Sequence, residues 1–573
     1  MTGPLPARGG APTALPAEVD VVVVGAGGAG MSAALAAGRK GLDTILVERS
    51  AYFGGSTARS GGGVWIPGNY ALADARQVDA DEPERAREYL DAIVGDVVPK
   101  TRRDTYLARG PEVLEFIKDN TPVRFRWVPE YADYHPEAPG GRPRGRSVEP
   151  VPLDARFLGN ELDRLHPPYT KAPANLIVTQ KDFRKISLGT RSVRGPVTMV
   201  LVLLRRMIFI MLGRRMYAMG NAVAIGLRQG LVDAGVPVHY ETELVDLVIE
   251  DGRVVGVRLV RDGADHVVRA RRGVIVGSGG FERNLEMREK YQPQPTSTDW
   301  TTGSEFNTGG GILAGIAAGA ETDLMDDAWW GPTIPLPNRP WFCLAERNLP
   351  GSIIVNQAGR RFMNEALPYV EATHAIYEGE ATGVGHVPSW MIIDQRYRNR
   401  YLFAGLGPRQ PFPGSWLKSG VVRKAATLPE LAERIEVPAD ALTATVERFN
   451  GFAAGTGVDE DFHRGESAYD KYYSDPRVKP NPSLHAIDHA PFYAVKIVPG
   501  DLGTKGGLVT DERARVLRPD GSVIPGLYAA GNASSAVMGR TYAGPGATIG
   551  PALVFGYLAV EDLVSTSSTA GGA

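Results

Sequence analysis

Asp20-Val-Val-Val-Val-Gly25-Ala26-Gly27-Gly28-Ala29-Gly30 is the stretch that decides the architecture. Its first five residues are almost all β-branched, the pattern of a strand buried on both faces. The chain then passes without a linker into glycines, and Met31 to Gly38 continues with small residues that suit a helix. A second apolar strand, Thr44–Val47, ends at the acid Glu48. Strand, G-x-G-x-x-G, helix, strand and acid in this order form the fingerprint of a dinucleotide-binding βαβ unit. Its glycines bring backbone and a helix N-terminus close to a pyrophosphate, and its acid accepts hydrogen bonds from a ribose. Gly25, Ala26, Gly27, Gly28, Ala29 and Gly30 are the candidates for the first contact, and Glu48 with Arg49 for the second. The fold class expected is α/β, built on a Rossmann-like domain.

Further glycine segments recur along the chain. Gly54-Gly55-Ser56-Thr57-Ala58-Arg59-Ser60-Gly61-Gly62-Gly63 follows the acid closely, and its backbone and hydroxyls suit a large phosphorylated cofactor. Arg271 to Phe281 adds a buried strand with a glycine turn at Ser278 and Gly279, and Ile524 to Asn532 repeats that design, ending in Gly531 and Asn532. An acid at position 48 fits an unphosphorylated ribose, which admits NAD and FAD; the additional glycine segments favour FAD, held non-covalently. Gly55, Ser56, Thr57, Ser60, Gly61, Gly62, Leu244, Ser278, Gly279, Gly531, Asn532, Ala547 and Ile549 complete the expected cofactor-binding set.

Near the C-terminus, Arg540-Thr541-Tyr542-Ala543-Gly544-Pro545-Gly546-Ala547-Thr548-Ile549-Gly550 places a phenol before flexible backbone and a helix-like run. A hydroxyl, a free N–H and a helix N-terminus aimed at one place stabilise negative charge on an oxygen.

With 573 residues the chain has room for two large domains, and its formal net charge of −2 points to no nucleic-acid partner. The single cysteine, Cys343, excludes an intramolecular disulfide, fits a reducing, cytoplasmic compartment and reads as packing within Trp341–Leu344. The nine histidines show no ligand spacing, so no metal site is expected. Residues 1–17 read as a mobile tail. Residues 18–328 and 500–573 are assigned to a discontinuous FAD-binding domain with an apolar and basic insertion at about 160–216, and residues 329–499 to an inserted α+β substrate domain. Within the first part, Asn221–Ala234 reads as a helix, Val236–Tyr240 as a strand, Thr308–Gly319 as a helix, and Val245 to Val276 as a meander turning at Asp251-Gly252. In the insertion, residues 197–212 are apolar but carry Arg205 and Arg206, with further arginines at 191, 194, 214 and 215. This argues against a membrane span. A buried helix or an oligomer contact is the favoured reading of 191–215; peripheral contact with a membrane surface is the alternative.

This set of segments resembles the flavoprotein family that includes succinate dehydrogenase, fumarate reductase and the 3-ketosteroid dehydrogenases, over Asp20 to about Leu563. In the dicarboxylate branch an R-F-x-N-E motif, here Arg361-Phe362-Met363-Asn364-Glu365, is followed four residues later by a proton-donating arginine; this chain has Tyr369. A substrate-binding arginine of that branch falls roughly at Tyr542, and its histidine has no counterpart after His489. Dicarboxylates need fork-shaped cations, whereas phenols suit a neutral carbonyl. Tyr131 to Gly141, Asn364 to Tyr369 and Thr541 to Gly550 are similar to the active-site segments of the 3-ketosteroid Δ1-dehydrogenases. That resemblance implies a catalytic set of Tyr134, Tyr369, Tyr542 and Gly546 acting on a 3-ketosteroid. Tyr542 and Gly546 would hold the ketone, Tyr369 would remove the C2 proton, Tyr134 would assist it, and an unidentified acceptor such as a quinone would reoxidise the flavin. Tyr131 competes with Tyr134 for the assisting place. The alternatives are a Δ4-(5α)-dehydrogenase, a fumarate-reductase-like flavoprotein, and a flavin-bearing surface protein without turnover.

Overall fold

The computed structural model describes residues 14–79, 82–168, 177–191 and 194–570. Most of the expected tail therefore lies outside the described residues, but the Ala17 carbonyl already accepts from Arg269 N–H. Strand β1 (Glu18–Val24), helix α1 (Gly28–Arg39) and strand β2 (Thr44–Val47) form the predicted unit, with β1 and β2 parallel. The turn between them depends on backbone contact: a Cβ on Gly30 would stand 1.9 Å from the Gly25 carbonyl oxygen. Helix α2 (Gly55–Arg59) follows β2 and packs near the fingerprint.

The insertion contributes α3 (Gln180–Ser187) and α4 (Arg194–Met211). The chain then returns through α5 (Met219–Asp233) to the two-residue strand β3 (Val238–His239) beside β2. Strands β4 (Thr242–Glu250), β5 (Arg253–Arg261) and β6 (Ala264–Val276) form the expected meander. Asp251 and Gly252 both have positive φ, 49° and 75°, which matches strand twist in a tight hairpin. β6 runs parallel to β1, and its other edge takes the C-terminal return.

A second, six-stranded sheet follows, made by β7 (Ala328–Leu336), β8 (Arg339–Phe342), β9 (Ser352–Val355), β10 (Ser389–Asp394), β11 (Val422–Ala425) and β12 (Phe492–Thr504). Helix α6 (Tyr369–Glu380) lies between β9 and β10 in sequence. Cys343 is fully buried in the core beside this sheet, and burial pushes its thiol well above the ordinary range, which fits packing. The chain closes with β13 (Arg515–Leu517), β14 (Val523–Ala529) and α7 (Ile549–Ala570). The first sheet thus has the order β13-β14-β6-β1-β2-β3, with β5 and β4 extending from β6.

Of the two favoured readings of residues 191–215, a buried helix or an oligomer contact, the first is overturned over the described residues 194–211. Along α4, Val200, Leu201, Leu204, Met207, Ile208 and Met211 are exposed, Met211 by 76%. The helix rests on the buried Gly195, Thr198 and Val202, and its apolar outer face has no covering element among the described residues. Among those residues, one stretch is long and apolar enough to cross a membrane, Ile549–Thr566 in α7, and 67% of it is buried. That stretch packs on α1 and behaves as a core helix.

Replacing Gly30 by alanine inserts a methyl where backbone already stands, so G30A is expected to destabilise by about 1–3 kcal/mol and to lower cofactor retention. Thermal melting with and without added dinucleotide measures both effects.

Candidate active site

A cavity of about 1460 Å³ runs from the β1–α1 turn to the second sheet. That exceeds the roughly 300–1,000 Å³ of a single-ligand site and leaves room for a cofactor and a second molecule. At the fingerprint end the walls include Gly25, Gly27, Gly28, Ala29, Glu48, Arg49, Gly55, Ser56, Thr57, Ser60, Gly61, Gly62, Leu244, Ser278, Gly279, Gly531, Asn532 and Ile549, all expected from sequence. Three expected residues stand behind the wall instead. Gly30 packs on Gly25, Ala26 gives its N–H to Glu48 at 2.7 Å, and Ala547, fully buried, donates to the Gly544 carbonyl.

Local hydrogen bonds explain this geometry. One Glu48 oxygen accepts from Ala26 N–H and the other from Ser50 N–H at 2.9 Å, so the carboxylate is fixed at the end of β2 with acceptor capacity remaining toward the cavity. Thr57 Oγ1 accepts from Gly28 N–H at 3.2 Å and Ser60 Oγ from Gly62 N–H at 3.0 Å, so these hydroxyls shape the loop. Arg49 is held by Thr308 and lies 3.3 Å from Glu243.

These residues fit an extended dinucleotide. Gly61 and Gly310 face the cavity with no atom within 4 Å of where a Cβ would stand. Among the described residues the Ser278 hydroxyl is buried there without a protein partner. Open backbone, an unpartnered donor and a fixed ribose acceptor are the requirements for FAD, which brings hydride-accepting chemistry when bound.

The other end of the cavity is aromatic and carries all four expected catalytic residues. The Tyr134, Tyr369 and Tyr542 rings lie edge-on to one another, with centroids 5.4 Å apart for 134–369, 5.2 Å for 134–542 and 5.4 Å for 369–542. Phe342 lies 5.1 Å from Tyr369 and Trp329 lies 4.9 Å from Tyr542. Gly546 has φ +99°, and a Cβ there would stand 2.3 Å from the Gly63 carbonyl carbon, so only glycine brings this N–H forward. The Tyr542 oxygen accepts from Thr548 Oγ1–H at 2.8 Å and also meets the Gly546 N–H.

Burial pushes the Tyr369 phenol well above its ordinary value; the Tyr542 phenol adds to the rise, and a hydrogen bond from Tyr134 opposes it. Burial also raises Tyr542, against hydrogen bonds from Thr548, Tyr369 and Gly546. Packing separates Tyr131 from Tyr134. Tyr131 stacks on Tyr472 at 4.1 Å with parallel planes and its hydroxyl pairs with Tyr473 at 3.3 Å, whereas Tyr134 faces the other two phenols.

Arg361, the arginine of the R-F-x-N-E motif, is committed to Glu365 and to Asp459, both at 2.8 Å. Sequence reasoning did not single out Trp329, Phe342 or Tyr469, which packs 4.9 Å from Tyr134. They lie far from the tyrosines in sequence and share no motif with them. Thr548 lay within the quoted C-terminal segment but had no assigned role.

The profile of the FAD binding domain family matches residues 20–549. A curated 3-oxosteroid 1-dehydrogenase from Mycolicibacterium smegmatis is 57% identical over 561 residues, covering 96% of this chain and 98% of that protein. A solved 3-ketosteroid Δ1-dehydrogenase from Sterolibacterium denitrificans, in complex with 1,4-androstadiene-3,17-dione, superposes with a TM-score of 0.92 at 38% identity, covering 96% and 100% of the two chains. A 3-ketosteroid Δ4-(5α)-dehydrogenase from Rhodococcus jostii shares the fold at a TM-score of 0.66 and 24% identity, covering 96% and 98%. The glycine-lined cavity, the tyrosine cluster and these likenesses together show that the chain belongs to the FAD-binding flavoprotein family that contains the 3-oxosteroid 1-dehydrogenases.

Proposed function

We propose that this protein is an FAD-dependent 3-ketosteroid Δ1-dehydrogenase. The observation that carries this reading is the convergence of three phenols and the Gly546 N–H at the apolar end of a cavity whose other end suits a dinucleotide. A C3 ketone oxygen accepts from Tyr542 O–H and Gly546 N–H, which stabilise the enolate as charge develops. The ketone acidifies the neighbouring C2–H, and Tyr369, as phenolate after passing its own proton to Tyr134 and onward, takes that proton. FAD, held along the glycine-lined end of the cavity, would supply the hydride-accepting chemistry that a C1–C2 desaturation needs. Since burial raises the Tyr369 phenol, its oxygen acts as a base only with help, and the hydrogen bond from Tyr134 supplies it. Trp329 and Phe342 give the apolar walls that a steroid ring needs. With Arg361 paired to two carboxylates, a dicarboxylate substrate has poorer support.

The reading is tested by turnover of androst-4-ene-3,17-dione with an artificial electron acceptor, and by the position of the new double bond in a 5α-reduced ketosteroid. A Δ4 product would overturn it in favour of the sister reaction, and a flavin that anaerobic ketosteroid leaves unbleached would leave a carrier without turnover. Tyr369→Phe is expected to lower kcat by about 10²–10⁴-fold as loss of a proton acceptor. Tyr542→Phe is expected to lower it by about 10²–10³-fold as loss of an oxyanion donor.

Tyr134→Phe makes a separate pH prediction. Its hydrogen bond lowers the Tyr369 pKa, so its removal raises that pKa further and shifts the rising limb of kcat against pH to higher pH. An unmoved limb in Y134F denies the assisting role.

Residues 191–215 support peripheral contact with an anionic bilayer surface as the finer partner of this enzyme. Arg214 and Arg215 follow α4 directly in the chain and are exposed, while Met199, Phe209 and Ile210 of the helix line the cavity. An apolar face with a basic rim is what interfacial binding needs. Co-sedimentation with phosphatidylglycerol vesicles is expected for the holoenzyme, and Leu201→Glu with Met207→Glu is expected to abolish it while leaving turnover of dispersed substrate intact.

A further inference from the structure

Each of the three tyrosine-bearing segments carries a second polar residue close to its tyrosine, and these residues meet one another. His135 follows Tyr134, Glu371 stands one half-turn beyond Tyr369 in α6, and Thr541 precedes Tyr542. The His135 Nε2 lies 3.0 Å from Glu371 Oε1 and 2.9 Å from Thr541 Oγ1. Thr541 Oγ1–H in turn donates to the same Glu371 oxygen at 2.9 Å. With the threonine proton directed to the carboxylate, the imidazole proton on Nε2 is the donor to both partners. The triangle is therefore closed and every member has a defined role, with Glu371 as the acceptor for two donors.

The surroundings hold each corner in place. His135 N–H donates to the Tyr89 hydroxyl at 3.1 Å, and that hydroxyl donates to the Ala543 carbonyl at 2.7 Å, which also accepts from Tyr134 N–H at 3.1 Å. The Thr541 carbonyl accepts from the buried Lys505 ammonium at 3.1 Å, and Lys505 pairs with Asp327 at 3.2 Å. Burial would raise the Glu371 carboxyl, but the hydrogen bond and charge of His135 and the charge of Lys505 hold it below its ordinary range. None of the three residues appears in the cavity wall.

We infer that Glu371 is a positioning residue: it clamps His135 and Thr541 so that the loop of Tyr134, the helix of Tyr369 and the glycine segment of Tyr542 hold their phenols in a common register. This rests on the functional reading above, since it assigns the clamp to that same tyrosine set. The argument is geometric. The three segments are separated by more than a hundred residues in sequence and meet at the tyrosines through ring edges and single phenol hydrogen bonds, which by themselves do not fix the direction from which each backbone segment approaches. A carboxylate with two charge-assisted or directional bonds removes that freedom. Displacing reacting groups by about 1 Å costs on the order of 10²-fold in rate without removing any of them.

The test compares the flavin-loaded wild type with Glu371→Ala and Glu371→Gln, measuring kcat and KM for androst-4-ene-3,17-dione, FAD content and thermal midpoint. E371A is expected to lose about 10²-fold in kcat with little change in KM and full FAD content. E371Q keeps an acceptor oxygen for His135 and Thr541 and is expected to recover most of the rate. Wild-type kcat in E371A overturns the clamp, and so does a loss that E371Q fails to restore or that follows lost FAD or lowered melting. Should E371A not fold, Thr541→Val removes one corner at nearly constant volume and is read in the same way. Failure of the wild type itself to turn over ketosteroid overturns the functional reading and the clamp with it, whereas active wild type beside fully active E371A sinks the clamp alone.

Discussion

The contact between Gly546 and the Gly63–Val64 backbone is the constraint on which the rest of the site depends. These segments are nearly the full chain apart, yet they approach so closely that a Cβ on Gly546 would stand 2.4 Å from Val64 N. The approach is stabilised on both sides. Ser32 of α1 donates its hydroxyl proton to the Leu553 carbonyl of α7 at 2.8 Å, and Gly556 lets α7 settle onto the Ala29 carbonyl. In this way the C-terminal helix packs on the helix of the dinucleotide fingerprint. The loop before it is then carried across the cavity with Tyr542 and the Gly546 N–H facing inward. A side chain at 546 would separate the glycine-lined end from the phenol end.

What gathers at the phenol end is chemically uniform: aromatic edges, hydroxyls and the backbone amide of Gly546, without a free guanidinium from the R-F-x-N-E motif. Burial in such surroundings makes a phenol harder to ionise, and the shifts at Tyr369 and Tyr542 both take that direction. The same low polarity strengthens each hydrogen bond aimed at a developing oxyanion. The arrangement therefore disfavours standing charge and favours charge that appears only during reaction. This is the requirement for drawing a proton from beside a neutral ketone.

Elsewhere on the cavity wall the packing logic reverses. Helix α4 leaves its apolar face outward and turns other residues of the same helix, Met199 and Phe209, into the cavity wall. A helix that is apolar around much of its circumference is ordinarily buried; here the fold provides a covering element on one side only. The basic residues around it explain why its composition failed the test for a membrane span and still suits an interface.

The sequence by itself determined the dinucleotide unit, because a β-branched strand, a glycine turn and an acid are local requirements, each met by residues adjacent in the chain. Motif positions shared with a known family pointed to Tyr134, Tyr369, Tyr542 and Gly546, which the structure brings together at one end of the cavity. Tertiary structure alone separates Tyr131 from Tyr134, since stacking on Tyr472 is a contact across more than three hundred residues. It alone moved Ala26, Gly30 and Ala547 behind the cavity wall, turned residues 194–211 outward, and joined His135, Glu371 and Thr541. Periodicity reports which residues share a face; which faces meet depends on packing among distant segments, and no local pattern encodes it.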